Sequence, residues 1–266
     1  MRNEHGMNPN GNILIFSPTL GLPPDPSQYV DSLLIRIINQ IQRKEMGLSY
    51  LPVYRNFWHD AWNLAWDLAF KHHFEYILRI DDDVHNIPED AVEKLLAADK
   101  DVIAAAGPNR RWPYFPAAMN RTKDISLIEI CRNDDRCLQY VQGLETGAIV
   151  PCDIVWFGMT LIKTEKFKFM QRPIFLGNED VPDDTYFAQL CLDEKIQQYV
   201  HFGVQVEHAH VNFQNNGYLY SAGVYEKINR QKKEAEEAKA RGEEVEDVDY
   251  TKLLSEPSLV SLVEPK

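Results

Sequence analysis

The sequence predicts an α/β fold with a mostly parallel central sheet, and two observations carry that prediction. Short apolar runs alternate with segments whose apolar residues recur at helical spacing, which is the pattern of strands joined by crossover helices. Polar or acidic residues follow directly after several of these runs. Loops at the carboxyl ends of parallel strands build ligand sites in such sheets, so the same pattern indicates where a site would lie.

The elements of the first half follow one another in this alternation. We predict strands at Asn12–Ser17, Leu48–Tyr54, Glu75–Ile80 and Asp101–Ala106, and helices at Gln28–Arg43, Asn56–Phe70 and Pro88–Ala97. In the second of these helices Trp58, Trp62 and Trp66 recur at intervals of four, which indicates a face packed into the core.

The second half is less regular. Gly107–Gln142 is rich in proline, arginine and aromatic residues and is interpreted as a long loop region. We predict a strand and then a short helix in Ile154–Ile162, a helix at Asp183–Lys195 and one or two strands in Gln197–Glu207.

Composition changes near the C-terminus. After about Tyr225 lysine, glutamate and alanine dominate, which predicts an α/β domain over residues 1–223 and a charged helical or partly disordered extension over residues 224–266. The apolar residues of Leu253–Val263 could dock that extension onto the domain or onto a second subunit, so a homo-oligomer formed through the tail is one expectation.

Charge and composition exclude several classes of protein. The 266 residues carry a formal net charge of −12, which counts against non-specific binding to nucleic acid because that requires a basic footprint. No segment approaches the roughly 18–20 consecutive apolar residues of a membrane span, and Met1–Asn12 has no apolar signal core, so a cytoplasmic location is expected.

The four cysteines form no CxxC pair, which disfavours a zinc site and favours free thiols, although Cys131 and Cys137 could bridge a loop in an oxidising compartment.

An acid triplet follows the third predicted strand. Adjacent carboxylates repel one another, so Asp81-Asp82-Asp83 is costly without a cation, and oxygen ligands suit Mg²⁺ or Mn²⁺. The alternative is a solvated acidic turn that caps the next helix. An EF-hand is poorly supported, because Asn86 stands where its glycine belongs and Val92 where its glutamate belongs.

Several motifs in order resemble one known family. YILRIDDDVHNIPEDAVEKLL resembles the DxD segment of GT-A glycosyltransferases, particularly family 2. The further segments that are similar to this family are Asp101–Ala106 with the Arg110-Arg111 pair behind it, Val150–Phe167, Asp183–Ile196, which resembles the "ED" helix start, and Val204–His210. The resemblance spans roughly Asn12 to His210 and implies the GT-A (Rossmann-like) nucleotide-sugar-binding fold. The chain departs from the family at Asp183, where glutamate is usual, and in having both His208 and His210 where one histidine is expected.

The resemblance implies a metal site for Mn²⁺ or Mg²⁺. Asp83 would coordinate the metal, Asp81 would contact the ribose or the metal, and Asp82 could share either task. His208 would complete the protein ligands, because its V-x-H spacing fits the family better than that of His210; both could instead be structural histidines.

The resemblance also implies contacts to the rest of the donor. Arg110 and Arg111 would stabilise the leaving diphosphate, since the guanidinium fork suits phosphate, although they could be ordinary surface charges. The other residues expected to face the nucleotide are Pro18 and Thr19 after the first strand and Arg55 and Asn56 after the second.

On the acceptor side, Asp184 would be the general base that deprotonates the acceptor hydroxyl in an inverting transfer, with Asp183 in reserve. The alternatives are that both acids cap the following helix, or that a retaining enzyme uses Asp184 to position the acceptor. Trp112, Tyr114 and Trp156 could offer aromatic faces to sugar rings or pack structurally.

The expected function is therefore transfer of a sugar from a nucleotide-diphosphate donor to a carbohydrate or other hydroxyl acceptor. A nucleotidyltransferase that makes nucleotide sugars is an alternative, but Pro18-Thr19-Leu20-Gly21 lacks the glycine-rich loop expected there. A non-catalytic carbohydrate-binding module is the other alternative, and it would not need both the acid triplet and the Asp183-Asp184 pair.

Overall fold

The computed structural model describes residues 11–19, 37–54, 58–81, 84–107, 118–133, 137–141, 143, 147–171, 173–176, 181–208 and 241. The predicted extension over residues 224–266 lies outside these ranges except for Arg241, so the division at residue 223 and the oligomer through the tail stay predictions. No helix in these ranges has both the length and the apolar character needed to cross a membrane.

The helices and strands alternate over the first half as predicted. The strands are β1 (Asn12–Thr19), β2 (Gly47–Tyr54), β3 (Tyr76–Ile80), β4 (Val84–His85), β5 (Val102–Ala106), β6 (Ala118–Arg121), β7 (Leu138–Tyr140), β8 (Ile149–Cys152), β9 (Ile154–Val155), β10 (Met159–Lys163), β11 (Gln198–Gln205) and β12 (Glu207–His208). The helices are α1, helical over residues 37–43, α2 (Trp58–Lys71), α3 (Ala91–Ala97), α4 (Leu127–Asn133) and α5 (Asp183–Asp193).

The central sheet has seven strands in the order β2-β1-β3-β10-β5-β11-β8. β2, β1 and β3 are parallel, and β11 is parallel to β5. β10 lies antiparallel between β3 and β5, so those two strands also share one direction, and β8 is antiparallel to β11. The predicted α/β class with a mostly parallel sheet is therefore confirmed, and the carboxyl ends of β1, β2, β3, β5 and β11 lie at one edge.

Two predictions for the second half were wrong. Gly107–Gln142 is not a continuous loop, because it contains β6, α4 and β7, and β7-β6-β9 form a separate three-stranded sheet. The strand predicted in Ile154–Ile162 is divided in two, since β9 pairs with β6 in the small sheet while β10 enters the central sheet, and the short helix that follows is the 3-10 helix Glu165–Phe167. These elements are only two to seven residues long, which is too short for a hydrophobic period to be visible in the sequence.

An aromatic cluster covers the face of the central sheet that packs against α2 and α5. Trp62 and Trp66 are buried there, so the predicted packing of the tryptophan stripe is confirmed for these two residues. The Phe175 ring stacks on Trp62 with centroids 4.4 Å apart and on Phe187 of α5 with centroids 4.9 Å apart. Fully buried aromatic side chains contribute several kcal/mol each, so this cluster fixes α5 against the sheet.

The opposite face packs against α1 and α3 through a second, aliphatic cluster. The side chain of Gln40 on α1 crosses that layer: it donates to the Pro88 carbonyl at 3.1 Å and accepts from the Val92 amide at 2.7 Å. Together the two clusters hold β3 and β5 in the middle of a three-layer arrangement.

Asn63 on α2 joins that helix to the segment that contains Phe175. Its Nδ2 donates to the Phe175 carbonyl at 2.8 Å, and its Oδ1 accepts from the amides of Ile174 and Phe175 at 3.1 Å each. We expect Asn63→Ala to lower the free energy of unfolding by about 1–3 kcal/mol, because buried backbone groups lose their partners. Urea denaturation measures this change, and Asn133→Ala on the exposed end of α4 is the matched control. Equal midpoints for the two variants would contradict this role of Asn63.

The four cysteines all lie among the described residues and form no disulfide there. Burial raises the pKa of Cys191 and Cys152 well above the ordinary thiol value, so these two side chains are unreactive core residues.

Candidate functional site

The site is built at the shared carboxyl edge of the parallel strands. Pro18 and Thr19 belong to the end of β1 itself rather than to a following loop, and they pair with Val53 and Tyr54 of β2. The pairing of β1 with β3 ends at Phe16, so the last residues of β1 form a local edge, where proline is tolerated.

Several sequence-predicted residues fall outside the residues that the structure describes. These are Arg55, Asn56, Asp82, Asp83, Arg110, Arg111, Trp112, Tyr114 and His210. For Thr19 and His208 the structure describes the backbone but not the side chain. In the sequence these residues end β1 or follow β2, β3, β5 and β11, strands whose carboxyl ends lie at one edge of the sheet.

Asp81 is the first residue after β3 and is buried. Its amide donates to the Gly158 carbonyl at 2.8 Å, and its own carbonyl accepts from the Val84 amide at 3.1 Å. Its carboxylate accepts a hydrogen bond from Arg79 Nε, with 2.5 Å between Nε and Oδ1. The first acid of the triplet is therefore fixed through both its backbone and its side chain.

Arg79 is a functional candidate that the sequence analysis missed. It lies within β3, and its guanidinium pairs with Asp81 on one side and reaches Asp183 Oδ2 at 3.4 Å on the other. Burial lowers the pKa of Arg79, but the two carboxylates outweigh that effect and leave the pKa above its ordinary value, so the side chain stays charged. The signal in the sequence was a lone charged residue inside an otherwise apolar strand, two positions before the triplet.

The acid pair Asp183-Asp184 forms the first turn of α5, and Pro182 occupies the N-cap position. Neither acid is therefore the N-cap residue, although both face the favourable end of the helix dipole. Burial, with Asp183 next to it, raises the pKa of Asp184 to about 6. Asp184 accepts a hydrogen bond from the Thr185 hydroxyl at 3.3 Å between Oγ1 and Oδ1.

A small two-stranded ribbon joins the late histidine segment to β4, the strand that follows the acid triplet in the sequence. β12 pairs with β4 in antiparallel register, with His208 opposite Val84 and Glu207 opposite His85. The Asn86 side chain donates to Glu207 at 2.5 Å between Nδ2 and Oε2, which closes the ribbon. The backbone of His208 therefore lies opposite the residue that follows the acid triplet in the sequence.

Among the residues that the structure describes, no group of three or more His, Cys, Asp or Glu side chains could hold a metal ion. Asp83 and the side chain of His208 are not among them, so the predicted ligand set is untested by this finding.

Trp156 packs between two glycines at the same edge. A Cβ added at Gly107 would lie 1.9 Å from Trp156 Cζ3, and one added at Gly158 would lie 1.9 Å from Cζ2. Only glycine leaves room for the indole at both positions, and Trp156 belongs to the apolar packing below the edge. Structural packing is thus observed for Trp156, and a contact with a sugar ring stays a prediction.

Comparisons with known proteins give similarities of fold only. No model of a protein family matches the chain, and no curated protein sequence matches it. Solved structures similar to it include A197 from STIV, at 18% identity and a TM-score of 0.46 over 74% of this chain and 85% of that chain.

Two further similar structures are glycosyltransferases. The catalytic domain of Drosophila beta1,4-galactosyltransferase 7 in complex with xylobiose is 14% identical, with a TM-score of 0.42 over 72% of this chain and 65% of that chain. GalNAc-T7 with UDP, GalNAc and Mn²⁺ is 9% identical, with a TM-score of 0.43 over 74% of this chain and 44% of that chain. This chain spans less than two thirds of the length of either glycosyltransferase, and all three TM-scores lie below 0.5.

Proposed function

We propose that this chain is a metal-dependent glycosyltransferase that moves a sugar from a nucleotide-diphosphate donor to an acceptor hydroxyl. One observation carries the proposal: segments far apart in the sequence converge at the carboxyl edge of the sheet. Arg79 links Asp81 to the acid pair that begins α5, and the strand that ends in His208 pairs with the strand that follows Asp83. The acid triplet would contact the metal and the donor, the acid pair would supply the base, and the late histidine would be a further metal ligand.

The metal would be held by Asp83 and His208. Carboxylate oxygen and neutral imidazole nitrogen together suit Mn²⁺, and Mg²⁺ would rely more on the carboxylate and water. The backbone register, in which His208 lies opposite Val84, the residue after Asp83 in the sequence, supports this ligand pair. When bound, the cation would supply charge stabilisation for the diphosphate leaving group.

Asp81 would contact the donor's ribose rather than the metal. One of its carboxylate oxygens already accepts a hydrogen bond from the buried Arg79 cation. A divalent ion bound to the same carboxylate would lie close to that guanidinium and be repelled by it. A ribose hydroxyl donates a neutral hydrogen bond and meets no such repulsion. Asp82 would assist in binding either the ribose or the metal.

Asp184 would act as the general base, and Asp183 would support it. One carboxylate oxygen of Asp183 is already paired with the Arg79 guanidinium. The pKa of Asp184 is raised to about 6 by burial and by Asp183. A base whose pKa lies near the working pH takes up a proton most effectively, so the environment of Asp184 suits this role better.

The remaining donor contacts are assigned by their place in the chain. Arg110 and Arg111 follow β5 and would face the diphosphate, while Pro18, Thr19, Arg55 and Asn56 follow or end β1 and β2 and would border the nucleotide. Carbohydrates or other hydroxyl compounds would be the acceptors.

Acceptor-free hydrolysis tests the proposed function. We expect the protein to release nucleoside diphosphate slowly from its cognate nucleotide sugar in the presence of Mn²⁺, and to stop doing so in excess chelator. A binding module would release none, and a nucleotidyltransferase would instead form nucleoside triphosphate when pyrophosphate is added. Release of diphosphate at an unchanged rate in chelator would contradict the metal-dependent mechanism.

A further inference from the structure

The guanidinium of Arg79 connects the two halves of the candidate site. Its side chain is 5% exposed, compared with 10% for Asp81 and 13% for Asp183. Nε donates to Asp81, which follows β3, while Nη1 points to Asp183, the first residue of α5. One cation therefore holds a donor-side acid and an acceptor-side acid at once.

Aromatic rings fix the position of this cation. The Arg79 guanidinium carbon lies 5.2 Å from the ring centroid of Trp62 and 5.2 Å from that of Phe157. Phe157 in turn packs against Phe187 of α5 with centroids 5.3 Å apart. The arginine thus has little rotational freedom, and α5 is packed against the same rings that confine it.

Stability alone does not account for a buried arginine at this position. Replacing a buried ion pair with apolar residues of similar volume is often neutral or stabilising, because the desolvation of the charges offsets their attraction. What an arginine provides that an apolar side chain does not is a planar fork that fixes two carboxylates in a set geometry.

We propose that Arg79 is a positioning residue that fixes the acceptor base relative to the donor. By holding Asp81 and Asp183 together, it sets the place of the first turn of α5, and with it the carboxylate of Asp184, against the strand end that binds the donor. This inference rests on the proposed function, since it assigns Arg79 a role in the same transfer.

Arg79→Lys is the first test, because lysine keeps the charge but cannot bond two carboxylates in a fixed fork. We expect kcat for transfer to fall about 10–100-fold, as expected when a reacting group is misplaced by about 1 Å, while the KM for the donor and the thermal midpoint change little. Arg121→Lys is the matched control, since Arg121 also bonds an acid and a carbonyl, those of Asp153 and Ile125, on the small sheet. Its kcat should stay at the wild-type value.

Asp183→Ala is a second test that does not depend on the folding of Arg79→Lys, and where both variants fold they form a double-mutant cycle. Asp183→Ala removes the acceptor-side end of the same bridge, so we expect a comparable loss in kcat at constant donor KM. The double variant should lose little more than either single variant, because residues that act as one unit are not additive.

Three outcomes would contradict the positioning role of Arg79 and leave the proposed function standing. They are a wild-type kcat in Arg79→Lys, a rise in its KM for the donor at unchanged kcat, and losses in kcat that simply multiply in the double variant. A wild-type protein that neither hydrolyses nor transfers a nucleotide sugar would instead contradict the proposed function, and the role of Arg79 with it.

Discussion

Asp184→Asn is expected to reduce sugar transfer by roughly 10²–10⁴-fold while leaving donor affinity close to that of the wild type. The substitution keeps the shape of the side chain and removes its capacity to accept a proton, and a positioned general base contributes about this much to a rate. Donor affinity should survive, because the proposed donor contacts lie on the acid triplet and the metal. Steady-state kinetics give the change in kcat, and a thermal shift with nucleoside diphosphate gives the affinity.

The pH dependence adds a second signature for Asp184. The base must be ionised to work, and burial raises its pKa to about 6, so wild-type kcat/KM should rise as the pH increases through about 6. The residual activity of Asp184→Asn should lack this rise.

The contribution of Asp184 to the stability of the folded protein should fall over the same pH range in which kcat/KM rises. A raised pKa means that the folded chain binds more protons than the unfolded chain between about pH 4 and 6, so this group's stabilising contribution is lost as the pH rises through about 6. Asp184→Asn should therefore be more stable than the wild type at neutral pH.

Asp193→Asn is the matched control, since this acid lies at the exposed end of the same helix, where it accepts a hydrogen bond from Gln189. Near-normal transfer by Asp184→Asn would eliminate Asp184 as the base and move the role to Asp183. A purely structural role in the first turn of α5 predicts that neither activity nor its pH profile changes, because one charge near the helix dipole affects stability by only about 0.3–1 kcal/mol.

Asp83→Ala is expected to abolish the stimulation of activity by Mn²⁺ and to lower turnover by about 10³-fold or more. A bound divalent cation supplies several kcal/mol of charge stabilisation to the leaving group, and each factor of ten in rate corresponds to about 1.4 kcal/mol. Turnover measured across a Mn²⁺ titration, for this variant and for Asp124→Ala on the exposed loop between β6 and α4, gives the comparison. A variant that keeps its response to Mn²⁺ would show that Asp83 is not a ligand.

The histidine ligand is tested by the same titration. We expect His208→Ala to weaken Mn²⁺ binding more than His210→Ala, because the β4–β12 pairing puts the backbone of His208 directly opposite Val84. A larger loss in His210→Ala would assign the ligand to His210 instead.

The sequence was sufficient for the parts of the fold that local patterns specify. β1, β2, β3 and β5 are apolar runs bounded by polar residues, and α2 and α5 follow a helical period, so all six were predicted close to their observed bounds. The direction of β10 was not predictable, because an antiparallel strand inserted between two parallel ones is specified by long-range pairing rather than by local pattern.

The residues of the candidate site, too, could be predicted only in part. The acid triplet and the Asp183-Asp184 pair could be found because acids stand where a strand ends and a helix begins. Arg79 could not be given a role from the sequence, because its partner Asp183 is 104 residues away. The resemblance named Asp184 as the base with Asp183 in reserve, and no local pattern in the sequence could add the contact that Asp183 makes with Arg79.

The most direct test of the central claim is the thermal midpoint of the wild-type protein with a panel of nucleoside diphosphates, each measured with Mn²⁺ and with excess chelator. A ligand that binds only the folded state raises the midpoint by mass action, by about 2.7 kcal/mol in stability at a hundred times its Kd. A metal-dependent nucleotide-sugar transferase predicts one nucleoside diphosphate that stabilises the protein strongly with Mn²⁺ and hardly at all in chelator. No shift with any nucleotide, or the same shift with and without the metal, would contradict it.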